Sequence, residues 1–78
     1  MPLYSSHLLT YAELRLGERI REARQERKLT LRQLAARLRT SPARLSQIEN
    51  ERVRLDVGDV IEVATALDVK INELFGQF

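Results

Sequence analysis

At 78 residues the chain is one domain, near the lower end of what a single core can hold without staples. It has no cysteine, which excludes disulfides and thiolate metal sites and permits a reducing cytoplasm, and nothing in it approaches the ~20 apolar residues of a membrane span. Net charge is only +2, but residues 1–54 hold twelve Lys/Arg against six Asp/Glu while residues 55–78 hold one against five, so one part favours a polyanion that the other repels.

Residues 1–11 have weak patterning and read as an N-terminal arm, without the basic and apolar segments of a signal peptide. His7, the only histidine, lies there with no cysteine or carboxylate at ligand spacing and reads as inert surface. A single domain is expected over 12–78, with helical apolar spacing almost throughout. The first helix is expected over about 12–27, with Thr10 and Glu13 at capping-box spacing and Leu16, Ile20 and Ala23 on its buried side. Thr30 with Gln33 repeats the box and opens a second helix, 31–38, with Leu31, Leu34, Ala35 and Leu38 inward. Ser41 then Pro42 is an N-cap followed by a first-turn proline, which starts a third helix over 42–50. Asp56 caps a fourth, with Val57, Val60, Ile61, Ala64 and Leu67 apolar, and a short fifth covers about 72–75. The expected class is all-α, a compact five-helix bundle.

The third helix carries the functional signal. On a wheel at about 100° per residue, Leu45 and Ile48 define its buried direction, with Glu49 close beside it. Opposite lie Ala43, Gln47 and Asn50, flanked by Ser46 and Arg44. That face is short, rich in hydrogen-bonding groups and nearly free of negative charge, whereas a helix selected for solubility alone would carry Glu and Lys. A helix over 31–38, a three-residue turn and a helix over 42–50 is the spacing of a helix-turn-helix, whose second helix lies in the DNA major groove. Gln can pair with adenine, Arg with guanine, and Ala can touch a thymine methyl.

The segments "LTLRQLA" at 29–35, "SPARLSQIE" at 41–49 and "INELF" at 71–75, in this order and spacing, resemble the Cro/C1-type helix-turn-helix domains of phage repressors and bacterial regulators. The resemblance covers residues 16–75 and implies a lambda-repressor-like DNA-binding domain. It implies base contacts from Ala43, Arg44 and Gln47, with Ser46 at the margin. It places Thr30, Gln33 and Asn50 at the phosphate backbone, a set that Ser41 joins. Arg24 and Glu49 stand where some relatives form an interhelical ion pair, and the wheel agrees, because Glu49 lies too near the core side to be a free surface charge. Leu31 replaces a Gln that in many relatives clamps a phosphate. Arg39, Glu51 and Asp68 stand where glycine is frequent, at turns that often need positive φ, and each is expected to cost about 1 kcal/mol if the turn keeps that shape. Lys70 replaces the usual Ser/Thr cap of the last helix, which is expected to fray. Glu51 would face DNA if the loop follows the family course, leaving Arg52 and Arg54 as the phosphate contacts.

Other patterns have plainer readings. Asp56 with Asp59 reads as a helix start, no nucleophile–base pair can be assembled, and no phosphate-binding glycine loop is present, so no enzyme activity and no cofactor are expected. The Glu18, Glu22, Glu26 stripe reads as a solvated face. Leu74, Phe75, Phe78 and the valines at 57, 60, 63 and 69 exceed what so short a segment needs for a core, and their excess is expected to form a two-fold seam through the C-terminal helices. The resulting expectation is a cytoplasmic transcriptional regulator, a repressor, binding double-stranded DNA as a homodimer. A protein-interaction module of the same fold and the DNA-binding part of a longer ligand-responsive regulator are the alternatives.

Overall fold

Five helices follow one another: α1 (Leu16–Glu26), α2 (Leu31–Arg37), α3 (Pro42–Glu49), α4 (Val57–Leu67) and α5 (Ile71–Phe75). The computed structural model describes residues 15–75, and no strand occurs among them. The expected N-terminal arm, His7, the Thr10–Glu13 pair and Phe78 lie outside the described residues.

Helix starts follow the local side chains. The Thr30 hydroxyl accepts from the Gln33 N–H at 3.0 Å and the Gln33 Oε1 accepts from the Thr30 N–H at 2.8 Å, the full capping box. Ser41 Oγ accepts from the Arg44 N–H at 3.0 Å with Pro42 behind it. Asp56 and Asp59 form a second reciprocal box at 2.8 and 3.1 Å, which assigns both carboxylates to the start of α4. α5 is held despite Lys70, because the Glu73 N–H donates to the Lys70 carbonyl at 2.9 Å and the Glu73 carboxylate accepts weakly from the Lys70 N–H at 3.4 Å. The start of α1 differs from expectation. Arg15 sits at φ 52° in the left-handed region and α1 begins at Leu16, while the expected start at 12 lies outside the described residues.

Helix ends share one device. At Lys28, Arg39, Glu51 and Asp68 φ lies between 56° and 61°. Each of these residues donates its N–H one turn back, and the next residue donates to the carbonyl before that, as in Arg39 to Ala36 and Thr40 to Ala35. Four Schellman turns therefore close α1 to α4 without a glycine among them. The glycine-like shape expected at 39, 51 and 68 is present, and Lys28 adds a fourth case. Arg39→Gly is expected to raise stability by about 1 kcal/mol, a gain that thermal denaturation of the two proteins would register.

The core joins Leu16 and Ile20 of α1, Leu34 and Ala35 of α2, Leu45 and Ile48 of α3, Val60, Val63, Ala64 and Leu67 of α4, and Leu74 of α5. α1 packs against α3 and α5, and α3 against α2. Gly17 sets the α1–α3 distance: a Cβ there would run into the carbonyl oxygens of Ile48 and Glu49 and into Cγ of Glu51. Two residues expected on the apolar side of α4 are not covered. Val57 is 66% and Ile61 50% exposed. The inward direction of α4 is fixed by Val60, Val63, Ala64 and Leu67, and Val57 and Ile61 fall off its edge.

Candidate nucleic-acid interface

α3 divides as its sequence requires. Leu45, Ile48 and Glu49 are buried, Ser46 is half-buried, and Ala43, Arg44, Gln47 and Asn50 are exposed. Its expected end at residue 50 shortens by one, since Asn50 is the C-cap, as Leu38 is for α2. Ala43 and Gln47 stand four residues apart on the outward side, with no acidic side chain between them on the helix. Arg44 lies toward α4 and lines an open recess with Arg39, Thr40, Asp59 and Glu62, so carboxylates share its surroundings although it makes no ion pair with them.

The capping groups around this helix keep donors to spare. The Thr30 and Ser41 hydroxyls are engaged as acceptors, which leaves their protons free to donate outward. Gln33 spends its Oε1 on the Thr30 N–H and retains its NH₂ group. A phosphate oxygen needs donors, so making the cap and meeting a phosphate are compatible in all three. Asn50 is more committed: its Nδ2 donates to the Ser46 carbonyl at 2.8 Å. Arg52 and Arg54 follow α3, are exposed, and their side chains form no hydrogen bond or ion pair among the described residues.

Glu51 departs from expectation. Its side chain packs back over Gly17, and Oε1 is buried there without a hydrogen-bond partner, so it does not extend from the interface. The absence of a side chain on Gly17 leaves the space that Glu51 Cγ takes against α1.

Below the interface, Arg24 holds three segments. Its Nε donates to Glu49 Oε2 at 2.7 Å, Nη2 to Oε1 at 3.1 Å and Nη1 to the Leu29 carbonyl at 2.9 Å. The side chains are 12% and 4% exposed. The planar guanidinium matches the carboxylate in a fork, tying the end of α3 to α1 and to the α1–α2 connection. All of the Arg24 charge is directed inward. Two further arginines, unassigned from sequence, are similarly engaged: Arg27 Nη2 donates to the Asp68 carbonyl at 3.0 Å and Arg37 Nη1 to the Ala66 carbonyl at 3.1 Å. Both satisfy orphan carbonyls at the end of α4, which has no basic residue in its own last turn.

A helix-turn-helix family model matches residues 20–74, which takes in all of α2, α3 and α4. The chain belongs to the Cro/C1-type helix-turn-helix family. This domain is 36% identical to the immunity repressor protein of Bacillus phage phi105 over 62 residues, covering 80% of this chain and 43% of the repressor. The helix-turn-helix chain thus spans less than half the length of the curated relatives it matches. Among solved structures it is similar to the clp gene regulator ClgR from C. glutamicum, with a TM-score of 0.74 and 33% identity over 78% of this chain and 82% of that one. It is also similar to the restriction-modification controller protein C.AhdI from Aeromonas hydrophila, with a TM-score of 0.75 and 29% identity over 82% and 98% of the two chains.

Proposed function

We propose that this protein is a sequence-specific, double-stranded-DNA-binding transcriptional regulator, a repressor that occupies an operator by inserting α3 into the major groove. The observation that carries the reading is the exposed Ala43–Gln47 side of α3, free of acidic side chains and bordered by the unspent donors of Thr30, Gln33, Ser41, Arg52 and Arg54. Gln47, Ala43 and Arg44 read base edges with Ser46 at the margin, the donors fix register on the phosphates, and Asn50 joins them through its remaining N–H. Arg24–Glu49 has a positioning role, keeping α3 at a fixed angle. The protein works as a homodimer, with half-sites about one helical turn apart on a near-palindromic operator.

Selection of bound sequences from a random duplex pool at two salt concentrations tests this. A near-palindromic motif that persists at the higher salt is the expected result. Retention without enrichment, vanishing as salt rises, would leave only nonspecific attraction and sink the operator reading.

Two variants separate the roles. Gln47→Ala is expected to relax discrimination at one base position by about 1–3 kcal/mol, and equal losses on matched and mismatched duplexes would remove it from the base-reading set. Arg52→Ala is expected to weaken binding to every sequence and flatten the slope of log K against log salt by about one unit.

A further inference from the structure

Arg44 is the charged member of the proposed base-reading set, and the fold leaves its guanidinium unrestrained: the side chain makes no hydrogen bond or ion pair among the described residues. A guanidinium carries five N–H donors, of which a guanine edge accepts two. Left to itself it also pairs with phosphate oxygens and with acceptors on other bases. An arginine that discriminates therefore needs a second group to set the plane of its fork.

The recess beside Arg44 holds such a group. Ile48 and Val63 are buried at its apolar floor, and Arg39, Thr40, Asp59 and Glu62 line it together with Arg44. Asp59 and Glu62 are three residues apart on α4 and so share one side of that helix. They are not equivalent. Asp59 Oδ2 accepts from the Asp56 N–H, which commits that carboxylate to the start of α4. The Glu62 side chain is exposed and takes part in no hydrogen bond or ion pair among the described residues. Glu62 is thus the uncommitted carboxylate in the recess that Arg44 borders.

This placement has a cost that stability does not offset. A negative charge beside the helix that enters the groove opposes the phosphates, and the fold draws no polar contact from Glu62 in return. When α3 lies against DNA, the Arg44 side of the recess loses water, and attraction between a carboxylate and a guanidinium over an apolar floor becomes stronger. Arg39 is the rival for the same carboxylate, because it lines both this recess and the adjoining groove with Glu62.

We infer that Glu62 is a positioning residue for base reading: with α3 in the groove, its carboxylate accepts from the Arg44 guanidinium and turns the remaining N–H pair toward the base. The inference rests on the operator-binding reading and deepens it, since selectivity at the Arg44 position then belongs to a pair whose acidic member lies on α4 and touches no DNA. The carboxylate leaves a fork of donors facing outward and denies Arg44 the swing toward phosphate.

Binding of the 78-residue chain to its selected duplex, and to duplexes changed one base pair at a time, tests the pair. Arg44→Ala identifies the position that Arg44 reads, as the one whose preference it removes. Glu62→Gln should lower the preference at that position by about threefold or more and leave the Gln47 position unchanged. It should also bind scrambled duplex at least as tightly as wild type, having lost a negative charge, and melt at the same temperature. In an Arg44→Ala background, Glu62→Gln should alter no preference, a coupling that a residue acting only through the fold would not show. A wild type with no preference at any position overturns the operator reading and this role with it. Where the wild type has a clear motif, full discrimination by Glu62→Gln overturns the role of Glu62 alone. An equal loss at every position, or a loss that persists in Arg44→Ala, does the same. A loss that vanishes in an Arg39→Gly background makes Arg39 the partner of Glu62 and overturns the pairing with Arg44.

Discussion

Arg24→Ala is expected to cost about 3–5 kcal/mol of folding stability, measured by urea denaturation followed through the helical circular dichroism signal. The substitution removes both N–H donors that reach Glu49 and leaves a carboxylate 4% exposed with nothing to balance it. It also releases the Leu29 carbonyl. A domain of 78 residues has roughly 4–12 kcal/mol in total, so the loss removes at least about a quarter of it. The cost comes from stranding a charge and should not be taken as the worth of the pair. Accordingly, Arg24→Met combined with Glu49→Leu should cost less than Arg24→Ala alone, because neither charge then remains to be solvated. A loss below about 1 kcal/mol for Arg24→Ala would mean that the pair behaves as an exposed, screened one.

Gly17→Ala is the second large effect, about 1–3 kcal/mol, although alanine is the better helix former. The added methyl collides with backbone carbonyls of Ile48 and Glu49, which cannot rotate away as a side-chain tip can. Relief requires α1 and the end of α3 to separate. Because α3 is the proposed reading helix, specific DNA affinity should fall more than nonspecific affinity, as a titration of matched and scrambled duplexes would show. Gly58→Ala is the control, having no backbone atom in its way. Equal stability of Gly17→Ala and wild type would contradict the close α1–α3 contact.

How much of this was legible depends on the range of the interaction. The Thr30–Gln33 box, the Ser41–Pro42 start and the Asp56 cap are each settled within four residues, and sequence alone located them. The apolar stripe of α3 fixed its outward face, because Leu45 and Ile48 leave a single direction for burial. The turns at 39, 51 and 68 were legible through family resemblance, while Lys28 was not, since its conformation shows only in the bonds from Lys28 to Gln25 and from Leu29 to Arg24.

Of the longer-range features, the Arg24–Glu49 pair was legible through family resemblance and the others were not. Arg27 reaches the carbonyl of a residue 41 positions away and Arg37 one 29 away, and no local pattern separates such an arginine from one that waits for phosphate. The arginines of residues 1–54 therefore keep their charge but are not all free to reach a phosphate. Glu51 was misplaced for a related reason: its backbone conformation was foreseen, but the direction of its side chain depends on the space over Gly17.

The sequence by itself determined the all-α class, the helix-turn-helix spacing and the polar character of the α3 face, because periodicity and capping are written in neighbouring residues. Only the tertiary structure decided which arginines are free, which glycine is needed inside the fold, and which apolar residues of α4 remain uncovered. Those outcomes depend on what one helix finds when it packs on another, and that distance is encoded in no single segment.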